Sequence, residues 1–160
     1  MNTLALEMIK YYAGDIKRIN HFIKVHGYAE AIGAAEGLDE RTRLILETAA
    51  YVHDIGIKIS EEKYNSSSGH YQEIEGPPIA EKMLKSLGYD DEIIGRVSYL
   101  VGHHHTYSDI DGIDYQILVE ADFLVNIDED GMDKSTAKGV REKIFKTQTG
   151  REMLDKLYLA

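Results

Sequence analysis

The 160-residue sequence has no cysteine, only two prolines and no long apolar run. Without cysteine, neither a disulfide framework nor a thiolate metal site can form. A bound metal would therefore have histidine, carboxylate, backbone or water ligands, which suit Mn, Fe, Ni, Co, Zn or Mg. No stretch approaches the roughly 20 apolar residues of a membrane-spanning helix. The start, MNTLALEMIKYY, lacks the basic and apolar regions of a signal peptide.

An excess of acidic residues gives the chain a net charge of −10 and a pI near 5.1. Such a surface repels nucleic acid and anionic membranes. We therefore expect a cytoplasmic protein that has neither of them as a partner. A small phosphorylated substrate is not excluded, because a bound dication inverts the local field. A homodimer is also compatible with the sequence.

Apolar residues recur at spacings of three and four along most of the chain, a pattern typical of helices. Strand-like alternation is scarce, so we predict an all-α fold, a single-domain helical bundle of about six to eight helices. Asp15, Asp39 and Asp90 stand where the N-caps of three of these helices are expected. The sequence contains no linker long enough to divide it, so residues 1–160 are expected to form one domain.

Within this domain we expect the core at about residues 15–130, with C-terminal helices over residues 131–160 packed on it. The segment from residue 60 to 69 is rich in serine and is predicted to be a mobile loop. Pro77 and Pro78 are predicted either to begin a helix or to break one.

The dipeptide His53-Asp54, in the segment LETAAYVHDIGIK, is the first candidate for chemistry. By itself such a dipeptide more often marks a solvated helix end. Asp122 is more informative, because it lies in the apolar helical stretch YQILVEADFLVNI with no Lys or Arg within four residues. A carboxylate buried there needs a compensating partner, and a metal ion is a good candidate. His21 lies on an apolar helical stripe and therefore points toward the core.

In order and spacing, His21 with Val25, the run His53-Asp54-Ile55-Gly56 and the later Asp122 resemble the HD superfamily of metal-dependent phosphohydrolases. The resemblance covers about residues 15–130 and implies an HD-domain fold. It also implies that a water on the metal attacks the substrate, while it identifies no substrate. The metal ligands that it implies are His21, His53, Asp54 and Asp122.

The run His103-His104-His105 follows the apolar segment SYLVG. An exposed helix end is one interpretation, because histidine suits the dipole there. Binuclear members of the superfamily have a histidine pair at the corresponding place. This resemblance implies His103 and His104 as ligands of an optional second metal, or His104 and His105 if the register shifts by one. Those members also have a histidine where this sequence has Gln72, so we expect one firmly bound metal.

Four side chains are expected to take part in catalysis. The resemblance implies that Asp54 accepts a proton while it binds the metal. His103 and His104 are expected to bind phosphate or donate protons, since histidine titrates near neutral pH. Arg18 lies three residues before His21, on the same helix, and is expected to hold a phosphate oxygen. An exposed surface arginine is an equally good interpretation of Arg18.

The expected substrate-binding set consists of Arg18, Lys58, His104 and His105. Lys58 follows the His-Asp turn at a position that the resemblance associates with lysine, although displaced here by one residue. It is expected either to contact the substrate or to cap the end of the helix.

The sequence favours a metal-dependent phosphohydrolase that cleaves the phosphate ester of a small molecule, such as a nucleotide. A di-iron oxygenase on the same fold is the first alternative. The extra histidines support it, and Gln72 argues against it. A non-catalytic metal-binding regulatory module is the second alternative, which retention of the whole implied ligand set argues against.

Overall fold

Residues 2–160, which the computed structural model describes, form nine helices and no strand. The all-α prediction is confirmed, and the helices are one more than the upper end of the expected range. Their bounds are α1 Asn2–Tyr11, α2 Ile16–Ala35, α3 Glu40–Val52, α4 Ile57–Tyr64, α5 Gly69–Ser86, α6 Asp91–Val101, α7 Ile113–Glu129, α8 Lys134–Ile144 and α9 Gln148–Tyr158.

The additional helix is α4, which occupies half of the segment expected to be a loop. Ser60 is buried there, and its hydroxyl donates to the carbonyl oxygen of Gly56 over 2.7 Å. Asn65 ends the helix in the left-handed conformation, with φ of 52°. The expected loop is therefore wrong for residues 60–64. Only residues 65–68 connect α4 to α5.

The three predicted N-caps are present. The carboxylates of Asp15, Asp39 and Asp90 accept the backbone N–H three residues ahead, at 3.1, 2.8 and 2.9 Å respectively. Each bond satisfies one of the N–H groups that the first turn of a helix leaves without a partner. The starts of α2, α3 and α6 are thus encoded locally.

Helix α7 runs through the centre of the core. It packs against α2, α3, α8 and α9, and its residues from Asp114 to Ile127 are buried on almost every face. A helix enclosed in this way normally has apolar residues all round. The carboxylates of Glu120 and Asp122 are therefore conspicuous, and both are buried.

Helix α5 continues through Pro77 and Pro78, so neither of the expected interruptions occurs. The helix crosses the turn after α3 at very close range. A Cβ atom on Gly56 would lie only 2.8 Å from the backbone nitrogen of Gly76. Gly56 has an ordinary φ of −77°, so this position requires glycine for space and not for conformation. Helix α3 ends at Val52, four residues before this glycine.

Among the described helices, none combines the length and apolar character needed to cross a membrane.

Candidate metal centre

The turn after α3, residues 53–56, presents the His-Asp dipeptide to the interior. Two hydroxyls from the end of α1 hold this turn. Tyr12 donates to the carbonyl oxygen of Asp54 at 2.7 Å, and Tyr11 donates to that of Ile55 at 3.2 Å. Sequence reasoning missed both tyrosines. Their only signal in the sequence is a pair of adjacent tyrosines at the end of a short helix.

The structure brings together the four side chains that the sequence proposed as metal ligands. The Nε2 atom of His21 lies 3.1 Å from a carboxylate oxygen of Asp54 and 3.1 Å from one of Asp122. The Nε2 atom of His53 lies 3.3 and 3.4 Å from the same two oxygens. All four residues are at most 5% exposed. Two imidazoles and two carboxylates, drawn from α2, α7 and the turn after α3, thus face one point.

Hydrogen bonds to the opposite ring nitrogens fix how these imidazoles face. The Nδ1 atom of His53 lies 2.8 Å from the carbonyl oxygen of Ala50, which can only accept, so Nδ1 carries a proton. In the same way, Nδ1 of His21 donates to Glu129 over 2.7 Å. Both rings therefore direct Nε2 at the carboxylates, which is the orientation that ligating histidines usually have.

Glu129 is a functional candidate that sequence reasoning missed. It accepts hydrogen bonds from His21 and from Lys24 Nζ, the latter at 2.6 Å. Its position seven residues after Asp122 puts it two turns further along the same face of α7. That spacing is the signal that could have identified it.

The cluster strongly shifts the titration of its members. Burial disfavours the imidazolium of His21, but hydrogen bonds to Asp122 and Asp54 outweigh this and raise its pKa to about 9. Burial also opposes charging of His53, yet the charge of Asp54 and a bond to Asp122 raise its pKa well above the usual value. Burial acts to raise the pKa of Asp54, and the neighbouring His53 lowers it well below its usual range. A proton held between these groups occupies the place that a cation could take.

His104 faces the same cluster from the end of α6. Its Nδ1 atom donates to the carbonyl oxygen of Val101 over 2.8 Å. Its Nε2 atom lies 3.3 Å from the second carboxylate oxygen of Asp54 and is buried without a hydrogen-bond partner within residues 2–160. A buried nitrogen of this kind, beside a carboxylate, is a position where a further ligand fits.

His105 is held by Gln72. The side-chain amide of Gln72 donates to the carbonyl oxygen of Ser67 at 2.6 Å, so its oxygen faces Nε2 of His105 at 2.9 Å. This arrangement assigns a proton to Nε2 of His105 and a lone pair to Nδ1. Burial and the nearby His104 lower the pKa of His105 to about 4. Asp54, His104 and His105 form a second group that could hold a metal.

His103 lies outside the cluster, which corrects its expected catalytic and second-metal roles. Its Nδ1 atom donates to the carbonyl oxygen of Tyr99 over 2.7 Å, and its ring stacks on that of Tyr99 at 3.9 Å. Successive residues of a helical turn point about 100° apart, so only two of the three histidines can face inward. The structure has the shifted register, with His104 and His105 inside.

Lys58 is also outside the cluster, which corrects its expected role in substrate binding. Its ammonium group donates to the carbonyl oxygen of Tyr11 at 3.3 Å and lies over the ring of the same tyrosine. It borders a separate cavity of about 120 Å³. In the first turn of α4, its side chain turns toward α1 and away from the clustered carboxylates.

The cluster opens into a cavity of about 590 Å³, a size that suits a small molecule. Arg18 lines this cavity, and its Nη1 atom donates to Asp54 over a long 3.4 Å. The Nε atom of Arg18 is buried and has no hydrogen-bond partner in the described part of the chain. His105 and Gln72 also line the cavity. A cationic hydrogen-bond donor, the guanidinium of Arg18, therefore lies in the same cavity as the cluster.

Comparisons with known proteins agree with this arrangement. A family model described as HD domain matches residues 18–156. A crystal structure of a predicted HD superfamily hydrolase from an uncultured Thermotogales bacterium is similar, with a TM-score of 0.66 and 24% identity. The match covers 96% of this chain and 80% of that one, and at this identity it establishes the fold alone. No curated protein matches the chain.

Proposed function

The chain belongs to the HD domain family, and from that premise we propose that it is a metal-dependent phosphohydrolase that cleaves the phosphate ester of a small molecule. The observation that carries the proposal is the convergence of two imidazoles and two carboxylates at a cavity that Arg18 also lines. A divalent cation and a phosphate therefore have adjacent places.

The donor set fits a divalent metal such as Mn, Fe, Ni, Co, Zn or Mg. His21, His53, Asp54 and Asp122 would hold it, because both imidazoles present Nε2 and both carboxylates are buried beside them. The unpartnered Nε2 of His104 is further support for a ligand at this point. When bound, such a metal lowers the pKa of a coordinated water by several units and offsets the charge of a phosphate.

The reaction also needs a group that binds the phosphate and a group that accepts a proton. Arg18 binds the phosphate, since its guanidinium borders the cavity and makes only a long contact to Asp54. Asp54 uses one oxygen toward His21 and His53, while the other faces His104 at 3.3 Å. That second oxygen can accept a proton from the attacking water and pass it to Nε2 of His104.

Hydrolysis of the ester requires that the proton lost by water reach the leaving group. A phosphorus–oxygen bond to water forms and the ester phosphorus–oxygen bond breaks. The proton that water loses is taken up by Asp54 and His104, and it returns through Asp54, which lines the cavity, to the leaving alkoxide, which departs as an alcohol. His105 presents a lone pair at Nδ1 because its Nε2 proton is bound to Gln72. It therefore accepts hydrogen bonds from water or substrate hydroxyls and does not donate to the phosphate.

The group formed by Asp54, His104 and His105 is the observation that favours a second metal, and with it the di-iron oxygenase alternative. Gln72 stands where the binuclear members of the superfamily have a histidine, and its amide oxygen is bonded to His105. We therefore propose one tightly bound metal per chain. Two iron atoms per chain, with oxygen consumption and no phosphatase activity, would support the oxygenase instead.

The test combines metal content with hydrolysis. The purified protein is loaded separately with each divalent ion, its metal stoichiometry is measured, and p-nitrophenyl phosphate is the probe substrate. We expect about one metal per chain and hydrolysis that depends on it. His53→Ala should abolish both, while the matched variant His103→Ala should retain both.

Thermal unfolding checks that each variant is folded. If His53→Ala does not fold, the nearly isosteric Asp122→Asn takes its place. A folded His53→Ala or Asp122→Asn protein with unchanged metal content and activity would refute the proposed site. A metal-loaded wild type that hydrolyses no phosphate ester would refute the proposed reaction and favour the regulatory module.

A further inference from the structure

We propose that the cavity takes the phosphate monoester of a small sugar or polyol, and not a nucleotide. The phosphate would lie at the cluster. Further along α7, amide and carboxylate groups without hydrogen-bond partners among the described residues line the same cavity. The inference rests on the proposed function, because it specifies the substrate class of the same site.

The lining of the cavity is poorly suited to a nucleobase. Among the described residues, the lining includes no Phe, Tyr or Trp, and its one aliphatic side chain is Ile57. Stacking on an aromatic ring contributes much of the affinity for a base. The imidazoles of His21 and His105 also line the cavity, but both lie beside the cluster, His21 next to Asp122 and His105 next to Asp54 and His104. They lie at the phosphate end and not where a base would extend.

The outer end of the cavity offers hydrogen-bonding groups. Asn20, Asn126 and Asp130 line it, and within the described chain their side chains have no hydrogen-bond or ion-pair partner. An amide both donates and accepts, and a carboxylate accepts, which are the groups that recognise hydroxyls. Asn126 and Asp130 lie four and eight residues after Asp122. At 1.5 Å per residue, this places them roughly 6 and 12 Å along the helix axis from the cluster.

The charge of the cavity favours a single phosphate. Of its three cationic side chains, Lys24 is bound to Glu129 at 2.6 Å and Arg18 contacts Asp54. Only Lys17 has no carboxylate partner among residues 2–160. Four carboxylates also line the cavity, so the three cationic side chains and one bound dication leave a net charge of about +1, too little to offset a diphosphate or triphosphate. One phosphate with a neutral, hydroxyl-rich remainder fits better.

Ribose 5-phosphate and adenosine 5′-monophosphate form the matched pair for the test, since they share the phosphorylated sugar and differ by the base. We expect kcat/KM of the metal-loaded enzyme for ribose 5-phosphate to exceed that for adenosine 5′-monophosphate, and adenosine 5′-triphosphate to be the poorest substrate. An equal or higher kcat/KM for adenosine 5′-monophosphate would overturn the inference.

Hydrolysis of p-nitrophenyl phosphate tests the proposed function separately. If that probe is not hydrolysed with any metal, the reaction is wrong, and the preference of the cavity is then measured by calorimetric binding of the same matched pair. Equal or tighter binding of adenosine 5′-monophosphate would overturn the inference here too, and tighter binding of ribose 5-phosphate would support it.

Asn126→Ala and Asp130→Ala test the hydroxyl contacts, with Asp128→Ala as the matched control, because Asp128 is exposed on the same helix and outside the cavity lining. Each cavity variant should raise KM for ribose 5-phosphate roughly three- to tenfold, as expected for one lost hydrogen bond. KM for p-nitrophenyl phosphate, which has no sugar hydroxyl, should not change. Unchanged KM values in both variants, or an equal rise in the control, would count against the hydroxyl contacts.

Discussion

Glu120 and Asp122 are buried carboxylates two residues apart on α7, and they face opposite sides of the helix. Glu120 accepts hydrogen bonds from the Thr147 hydroxyl at 2.6 Å and from the backbone N–H groups of Lys146 and Thr147 at 2.9 and 3.0 Å. Gln116 donates a further bond at 2.6 Å. Asp122 instead faces two imidazoles.

Burial of a carboxylate therefore does not by itself identify a functional site. The donors to Glu120 are neutral groups that cannot leave, and they fasten the segment between α8 and α9 to α7. Gly150 leaves room for the carboxylate, since a Cβ atom there would collide with it. Asp122 has partners that exchange protons and face a cavity. Titratable partners and access to solvent distinguish the site carboxylate from the structural one.

The largest expected effect comes from Asp122→Asn, which removes the site carboxylate while preserving its shape. We expect kcat/KM for p-nitrophenyl phosphate to fall about a thousandfold, which corresponds to roughly 4 kcal/mol of transition-state stabilisation. Bound metal should fall as well, while far-ultraviolet circular dichroism remains that of the folded protein. Activity within threefold of wild type would mean that the two carboxylates do not differ in the proposed way.

Glu120→Ala should have the converse effect, on stability. It leaves several buried donors without an acceptor, so the free energy of unfolding should fall by about 3 kcal/mol and Tm by roughly 10 °C. The folded fraction should still bind metal. Glu152→Ala, at an exposed glutamate of α9, is the control and should change stability by less than about 0.5 kcal/mol. A Glu120→Ala protein that keeps its Tm but loses metal would reverse the two assignments.

Glu129→Ala removes a third carboxylate of α7, which acts on the site through His21. The loss of the 2.7 Å bond to Nδ1 frees the ring to turn, so metal affinity should fall about 10- to 100-fold. Competition with a chelator measures this affinity, and Asp128→Ala should leave it unchanged. Equal affinities in the two variants would show that the orientation of His21 does not depend on Glu129.

The cluster around Asp122 should also make the stability of the metal-free protein depend on pH. Burial opposes protonation of His21, but bonds to Asp122 and Asp54 raise its pKa to about 9. This contribution is fully present below the unfolded-state pKa near 6.5 and is lost as the pH rises through about 9. Chemical denaturation in the presence of chelator should therefore show stability falling between pH 7 and pH 9. Asp122→Asn should flatten that fall, and Glu120→Ala should leave its slope unchanged.

His103→Ala and Lys58→Ala should have the smallest effects. His103 stacks on Tyr99, and Lys58 contacts Tyr11, both away from the clustered carboxylates. We expect metal content to be unchanged and kcat/KM to stay within about twofold of wild type, as for surface substitutions in general. A loss of tenfold or more in either variant would restore the role first expected from the sequence.

The sequence predicted what depends on local spacing. The caps at Asp15, Asp39 and Asp90 need only a carboxylate three residues before an N–H group. The candidates His21 and Asp122 could be found because helical periodicity directs both toward an apolar interior. These features are properties of single helices, so a pattern along the chain contains them.

The remaining features depend on how helices pack. The inward-facing pair of the His103–His105 run is set by the turn that Tyr115 holds, through its hydrogen bond to the His103 carbonyl oxygen at 2.8 Å. The bond of Glu129 to His21 joins residues 108 positions apart. Helix α4 occupies the expected loop because Ser60 is buried and its hydroxyl bonds to a backbone oxygen. No local pattern encodes these partners.

The contact between Gly56 and Gly76 has a consequence for how the protein can change through evolution. Main-chain atoms meet there without intervening side chains, so atomic radii set the separation of α5 from the His-Asp turn. Substitutions elsewhere in the core can change the size of side chains without altering this separation. Gly56 thus keeps the His-Asp turn at a fixed distance from α5, and any side chain at this position would push the two apart.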